Sequence, residues 1–222
     1  MADGREPEVC DANMMRTLIC SLADDHIDLK NLALRWDALE TLCQALPENP
    51  NIRRLTLDNT GVGDESLNIL VPAIALAASL ETLSLCSNSI SDHGLAKLFA
   101  LSSHPSLSTL SLRHTPISCG SNSRLSDYLA TDPALSELDL SHTLIANEGA
   151  TLIAGSLHSN THLRTLNLTS TKIGAKGSIL LMEWQKARPY IDIRGIHVFG
   201  ADFLRPLLEA THSANRPGTG RA

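Results

Sequence analysis

Aromatic residues are scarce, at 3% of the 222-residue chain, so any core must be built from aliphatic side chains. No C-x-x-C pair occurs, and Cys10, Cys20, Cys43, Cys86 and Cys119 form an odd set without paired spacing. That excludes a disulfide framework and points to unpaired thiols in a reducing compartment. The longest apolar run, residues 69–80, is broken by Pro72 and Ser79 and is too short to span a bilayer. Positive charge is in deficit, with a net charge of −6, which argues against nonspecific binding to nucleic acid or anionic membranes. The opening MADGREPEVC is polar and acidic, without an apolar leader. Cytoplasmic residence is the expectation; release into a host cell without a cleaved leader is the alternative. Motifs of the G-x-S-x-G, H-E-x-x-H, G-x-x-x-x-G-K and G-x-G-x-x-G types are missing, so no catalysis, cofactor or small-molecule substrate is expected. Asn167-Leu168-Thr169 fits a glycosylation sequon but falls inside a strand pattern, so the match reads as accidental.

What the chain does have is a repeat. Residues 80–101, LETLSLCSNSISDHGLAKLFAL, read as one strand, one turn and one helix. First apolar strand positions recur at Leu29, Ile52, Leu80, Leu107, Leu135, Leu163 and Ile191, at intervals of 23, 28, 27, 28, 28 and 28 residues. Near-constant spacing marks a stacked array. Paired leucines follow in register at Leu32/Leu34, Leu55/Leu57, Leu83/Leu85, Leu110/Leu112, Leu138/Leu140 and Leu166/Leu168. Period-two alternation turns each pair inward and the residues between them outward.

Further columns keep the same register. Thr60, Asn88, Thr115, Thr143 and Thr171 follow the strands; Val62, Ile90, Ile117, Ile145 and Ile173 come two residues later. Gly94, Gly149 and Gly177 share a place near the helix starts, and Pro50, Pro105, Pro133 and Pro189 end the preceding helices. Between them, apolar residues at helical spacing, such as Leu39, Leu42, Cys43 and Leu46, predict one helix per repeat. Asp64, Ser91, Asp92 and Asn147 are suited to cap these helices. The domain reading is a tail and cap helix over 1–28, six to seven repeats over 29–196, a closing helix over 197–212 and a disordered tail over 213–222. Arg194 breaks the apolar pattern in the last repeat, which predicts a slipped or bulged terminal strand.

The L-x-x-L-x-L-x-x-N-x-I pattern at a 27–28 residue period resembles the leucine-rich repeat, and within it the ribonuclease-inhibitor-like subclass. Similar repeats occur in intracellular immune receptors, the GTPase-activating protein of the Ran system and bacterial secreted effectors. The resemblance implies an α/β solenoid of right-handed βα repeats, with a concave parallel sheet and convex helices. Strands stack ~4.8 Å apart while helices need roughly 10 Å, so the array bends into an open arc. It also implies a non-enzymatic module that binds a partner protein through its concave face. A bacterial effector and a regulator of a small GTPase are the alternatives.

The outward strand residues supply the candidate partner-binding set: Arg35, Trp36, Arg54, Asp58, Arg113, His114, Glu137, Asp139 and His142. Trp36, Arg35 and Arg54 stand out because binding hot spots favour Trp and Arg; the plainer reading packs Trp36 against the cap. Glu137 and Asp139, next to Arg113, could steer a basic partner. His114 and His142 belong to one column and should lie ~5 Å apart. Such a pair could share a metal near Cys86, but zinc-ligand spacing is otherwise missing and no metal is expected. Mutual repulsion would make the pair a weak pH sensor.

Overall fold

The computed structural model describes residues 8–20, 25–118, 128–129 and 134–196. The closing helix and tail expected over 197–222 lie outside these residues, as does Cys119. Strands β1 (Val9–Cys10), β2 (His26–Asp28), β3 (Ala33–Leu34), β4 (Arg54–Thr56), β5 (Thr82–Ser84), β6 (Thr109–Ser111), β7 (Glu137–Asp139), β8 (Thr165–Asn167) and β9 (Asp192–Arg194) alternate with helices. The helices are α1 (Ala12–Cys20), α2 (Trp36–Glu48), α3 (Leu67–Leu76), α4 (Asp92–Leu98), α5 (Asn147–Ser156) and α6 (Ala175–Ala187), and a 3₁₀ turn (Phe99–Ser103) follows α4. Seven strands form one parallel sheet in the order β2-β4-β5-β6-β7-β8-β9, while β1 and β3 make a separate pair. Parallel neighbours need a crossover, and the helices supply it on one side of the sheet.

The central residue of each strand defines the true period. Ile27, Leu55, Leu83, Leu110, Leu138, Leu166 and Ile193 are aligned across the ladder, and their number differences are 28, 28, 27, 28, 28 and 27. This corrects the reading of the first repeat. Its strand is His26–Asp28, with Ile27 and Leu29 inward, and it starts before the array boundary placed at Leu29. Leu32 and Leu34 are only half-buried; Leu34 belongs to β3, which pairs with β1. Two alternating apolar pairs stand side by side there, and only the one 28 residues before Leu55 can lie level with it. The last strand is corrected as well. β9 pairs regularly with β8, Ile193 opposite Leu166, so a loop one residue shorter replaces the expected bulge.

Inward leucines fill the space between sheet and helices: Leu55, Leu57, Leu83, Leu85, Leu112, Leu140, Leu166 and Leu168 are fully buried. Burying a leucine side chain contributes ~1.5–3 kcal/mol, so the column dominates the stability of the stack. Beyond each of the first six strands of this sheet one residue turns left-handed. Asn31, Asn59, Ser87, His114, His142 and Ser170 all have φ between 53° and 65°. Each position costs about 1 kcal/mol or more in a non-glycine residue. The turn is held because the N–H groups of Asn31, Asn59, Ser87, His114 and His142 each donate to a carbonyl one repeat on.

The next column seals the turns. Thr60, Thr115, Thr143 and Thr171 donate their hydroxyls three residues back, at 2.6–2.9 Å, within their own repeat. Asn88 reaches further: its Nδ2 donates to the Leu57 and Leu85 carbonyls, and its Oδ1 accepts from the Thr60 and Val62 N–H groups. The segments that follow the turns are tied in the same way. The Asp64 carboxylate accepts from the Ser91 N–H and hydroxyl, Asp92 accepts from both groups of Ser118, and Asn147 Oδ1 accepts from Gly174 N–H and Gly177 N–H. A Cβ on Gly94 would collide with Asp64 Oδ1, and one on Gly177 would crowd Asn147 Oδ1, which explains glycine at these two positions. Helices cannot approach this closely with a side chain between them.

Candidate functional site: the outer face of the sheet

The register puts four rows of side chains on the exposed face. One row starts at His26 and Arg54 and ends at Glu137, Thr165 and Asp192. Its neighbour runs from Asp28 and Thr56 through Ser84 and Ser111 to Asp139, Asn167 and Arg194. Small hydroxylated residues occupy the middle strands β5 and β6, while charges gather on the outer ones. The third row continues past the strands with Lys30, Asp58, Cys86 and Arg113. The fourth consists of the left-handed residues.

Of the residues expected on this face, Arg54, Asp58, Arg113, His114, Glu137, Asp139 and His142 are there. Arg35 and Trp36 are not. Arg35 precedes α2, its N–H donating to the Cys10 carbonyl, and its guanidinium pairs with Asp37 at 3.4 Å. Trp36 is the first residue of α2 and is 50% exposed, its Nε1 donating to Glu40 at 2.9 Å. Their places on the strand face are taken by Lys30 and Asn31. The 28-residue count back from Asp58 and Asn59 is the signal that finds them.

The charges of the N-terminal strands are largely spoken for. Arg54 pairs with Asp25 at 2.7 Å, and that hydrogen bond holds the Asp25 carboxyl below its usual value. His26 Nε2 lies 2.9 Å from Thr56 Oγ1. Asp58 Oδ1 accepts from the Cys86 N–H at 2.9 Å and from the Ser84 hydroxyl at 2.6 Å. At the other end Arg194 donates to Asp192 at 2.8 Å, which raises the guanidinium above its ordinary value. The His114 and His142 rings stack with centroids 4.1 Å apart and planes 21° from parallel. Partial desolvation in this stack, then the charges of His142 and Arg113, hold His114 below the ordinary histidine value, while Asp139 acts the other way. Among the described residues no three His, Cys, Asp or Glu side chains converge to hold a metal ion. A groove of about 550 Å³ runs along the third and fourth rows, bounded by Lys30 at one end and by Arg113 and His114 at the other.

Two buried polar side chains escaped notice in the sequence. His104 Nδ1 accepts from the Ser106 and Leu107 N–H groups, which leaves the proton on Nε2, 3.2 Å from the Ala77 carbonyl. Asn160, two periods later, accepts from His162 and Leu163 in the same way. Both shape the approach to a strand and stand away from the outer face.

The fold is of the leucine-rich repeat type: strand and turn recur on a 27–28 residue period around one parallel sheet, with helices between the strands, as an open array. Residues 133–154 and 159–182 match a family model described as Leucine Rich repeat. Among solved structures, the tropomodulin C-terminal domain of Caenorhabditis elegans is similar with a TM-score of 0.53 and 18% identity, over 67% of this chain and 90% of that one. The actin-binding site 2 of leiomodin-1 gives a TM-score of 0.49 and 16% identity, over 90% of this chain and 95% of that one. At 18% identity the likeness to the tropomodulin domain is one of fold. No curated protein matches the sequence.

Proposed function

We propose that the chain is a non-enzymatic module that binds a partner protein through the concave outer face of its sheet. The observation that carries this reading is the contrast between the two faces of the same strands. Inward positions repeat leucine almost without change because packing demands it, whereas outward positions differ from strand to strand and contribute little to packing. Variation free of packing demands suits recognition, and mixed charge on a face with few large apolar groups suits a polar partner surface. The 27–28 residue period and the helix in each repeat support a ribonuclease-inhibitor-like subclass. A reducing compartment suits the unpaired thiols of Cys10, Cys20, Cys43 and Cys86, of which Cys43 is pushed up to about 11 by burial.

Affinity capture from native lysate with mass spectrometry tests the reading. Arg54→Ala, Glu137→Ala and Asp139→Ala combined should deplete partners retained by the unaltered chain, whereas Lys186→Ala on α6 should not. An identical set of captured proteins across all three baits would refute the assignment to this face.

A further inference from the structure

The groove along the third and fourth rows differs from the rest of the outer face in the state of its charges. Arg54 and Arg194 are held by Asp25 and Asp192. Lys30 and Arg113, at the two ends of the groove, form no ion pair among the described residues. Asp58, the acid between them, already accepts two hydrogen bonds on one oxygen. Asn59 Nδ2 donates to Asn31 Oδ1 at 3.0 Å, and the Asn31 amide nitrogen has no acceptor among the described residues. With Lys30 and Arg113 set against Asp58 alone, positive charge exceeds negative along the groove.

We infer that this groove seats an acidic polypeptide segment, with carboxylates against Lys30 and Arg113, and this rests on the protein-binding reading above. Three ladder steps separate the strands that carry the two cations, or ~14 Å, which about four to five extended residues span. Glu137 and Asp139 lie on the next strand, where their like charge opposes further extension and sets where the segment stops. With −6 on the whole chain, the attraction is local to the groove and weakens with salt.

His114 makes the site responsive to pH. The charges that face it are His142, Arg113 and Asp139, with Lys30 and Asp58 along the groove and Glu137 beyond. A bound carboxylate offsets the repulsion from Arg113 and His142, so binding draws a proton onto His114. Affinity must then rise as pH falls through the histidine range.

The test is ¹⁵N NMR titration of the full chain at low salt with an oligoglutamate of about six residues, long enough for ~14 Å. Saturable shifts are expected at Asn59, Ser87, Arg113 and His114. Lys30→Gln with Arg113→Gln should weaken binding at least about fivefold, both side chains being exposed and the fold retained by circular dichroism. Going from pH about 7.5 to about 6 should tighten binding by about threefold, and His114→Gln with His142→Gln should abolish that gain. Unchanged affinity in the Lys30/Arg113 variant, or equal shifts from inorganic phosphate at the same concentration, would overturn the inference. So would a pH dependence that survives loss of both histidines. If oligoglutamate fails while outer-face variants still lose captured proteins, only this inference falls; if capture ignores the outer face, the binding reading falls too.

Discussion

The side-chain amide of Asn88 donates to the main-chain carbonyl of Leu57, 2.7 Å away in the preceding repeat, while its oxygen accepts from the Thr60 and Val62 N–H groups. All of this takes place out of contact with water. Truncating Asn88 to alanine strands buried donors and acceptors, and stability should fall by about 2–4 kcal/mol. Thr143→Val removes one neutral hydrogen bond confined to its own repeat and should cost about 1 kcal/mol. Urea unfolding midpoints measure both; equal losses would contradict the bridging role of Asn88.

Gly94 lies within α4, where alanine normally stabilises a helix by about 1 kcal/mol. Here a Cβ meets Asp64 Oδ1 and also the Ile90 and Leu67 side chains at 2.9–3.0 Å. Gly94→Ala should therefore destabilise by about 1–3 kcal/mol, reversing the usual sign. Gly155, with nothing within 4 Å of its Cβ, is the internal control. Gly155→Ala in α5 should stabilise by about 0.5–1 kcal/mol.

Because the fold holds His114 below its ordinary value of 6.5, the unfolded chain takes up that proton at higher pH than the native one. The associated stability is complete above the unfolded value and is lost as pH falls from there through the lower native value. Melting temperature should decline across that window. His142→Gln removes one of the repulsive charges, so the decline should flatten and the NMR titration midpoint of His114 should rise.

The two tryptophans differ sharply in exposure, 50% for Trp36 and 8% for Trp184. Acrylamide should quench one emission component readily and spare the other, and Trp36→Phe should delete the accessible one. Stability should change by less than about 0.5 kcal/mol, since Trp36 supports no packed layer. A large loss would place Trp36 in the cap after all.

The repeat was legible because leucine pairs at a fixed interval leave only one way to bury themselves, and the middle strands follow that logic residue for residue. The ends were harder to read for a physical reason. Ile27/Leu29 and Leu32/Leu34 alternate equally well, and a single strand carries no information about which pair lies level with its neighbour. Choosing the wrong pair moved Arg35 and Trp36 onto the outer face, left Lys30 off it and set Asn31 level with Arg54, where His26 stands, instead of Asn59. The shortened last loop misled in the opposite sense, suggesting a distortion where the ladder is regular. The His114/His142 stack was accessible from the column alone, whereas Asp58 clasping Cys86 and Ser84 depends on side-chain geometry that no spacing encodes.

Asp92 and Asn147 stand at the start of a helix and Asp64 just before one, and each accepts from backbone N–H groups one repeat on. The dependence has a direction. For these contacts a segment emerging from the ribosome finds its acceptor already in place on its predecessor, whereas the turn N–H groups wait for a carbonyl of the repeat that follows. Removing repeats from the C-terminal side leaves an idle side-chain acceptor and turn N–H groups without their carbonyls, whereas removing them from the N-terminal side deprives the first retained helix of its side-chain closure. Truncations of equal length from the two ends are therefore unequal injuries to this molecule.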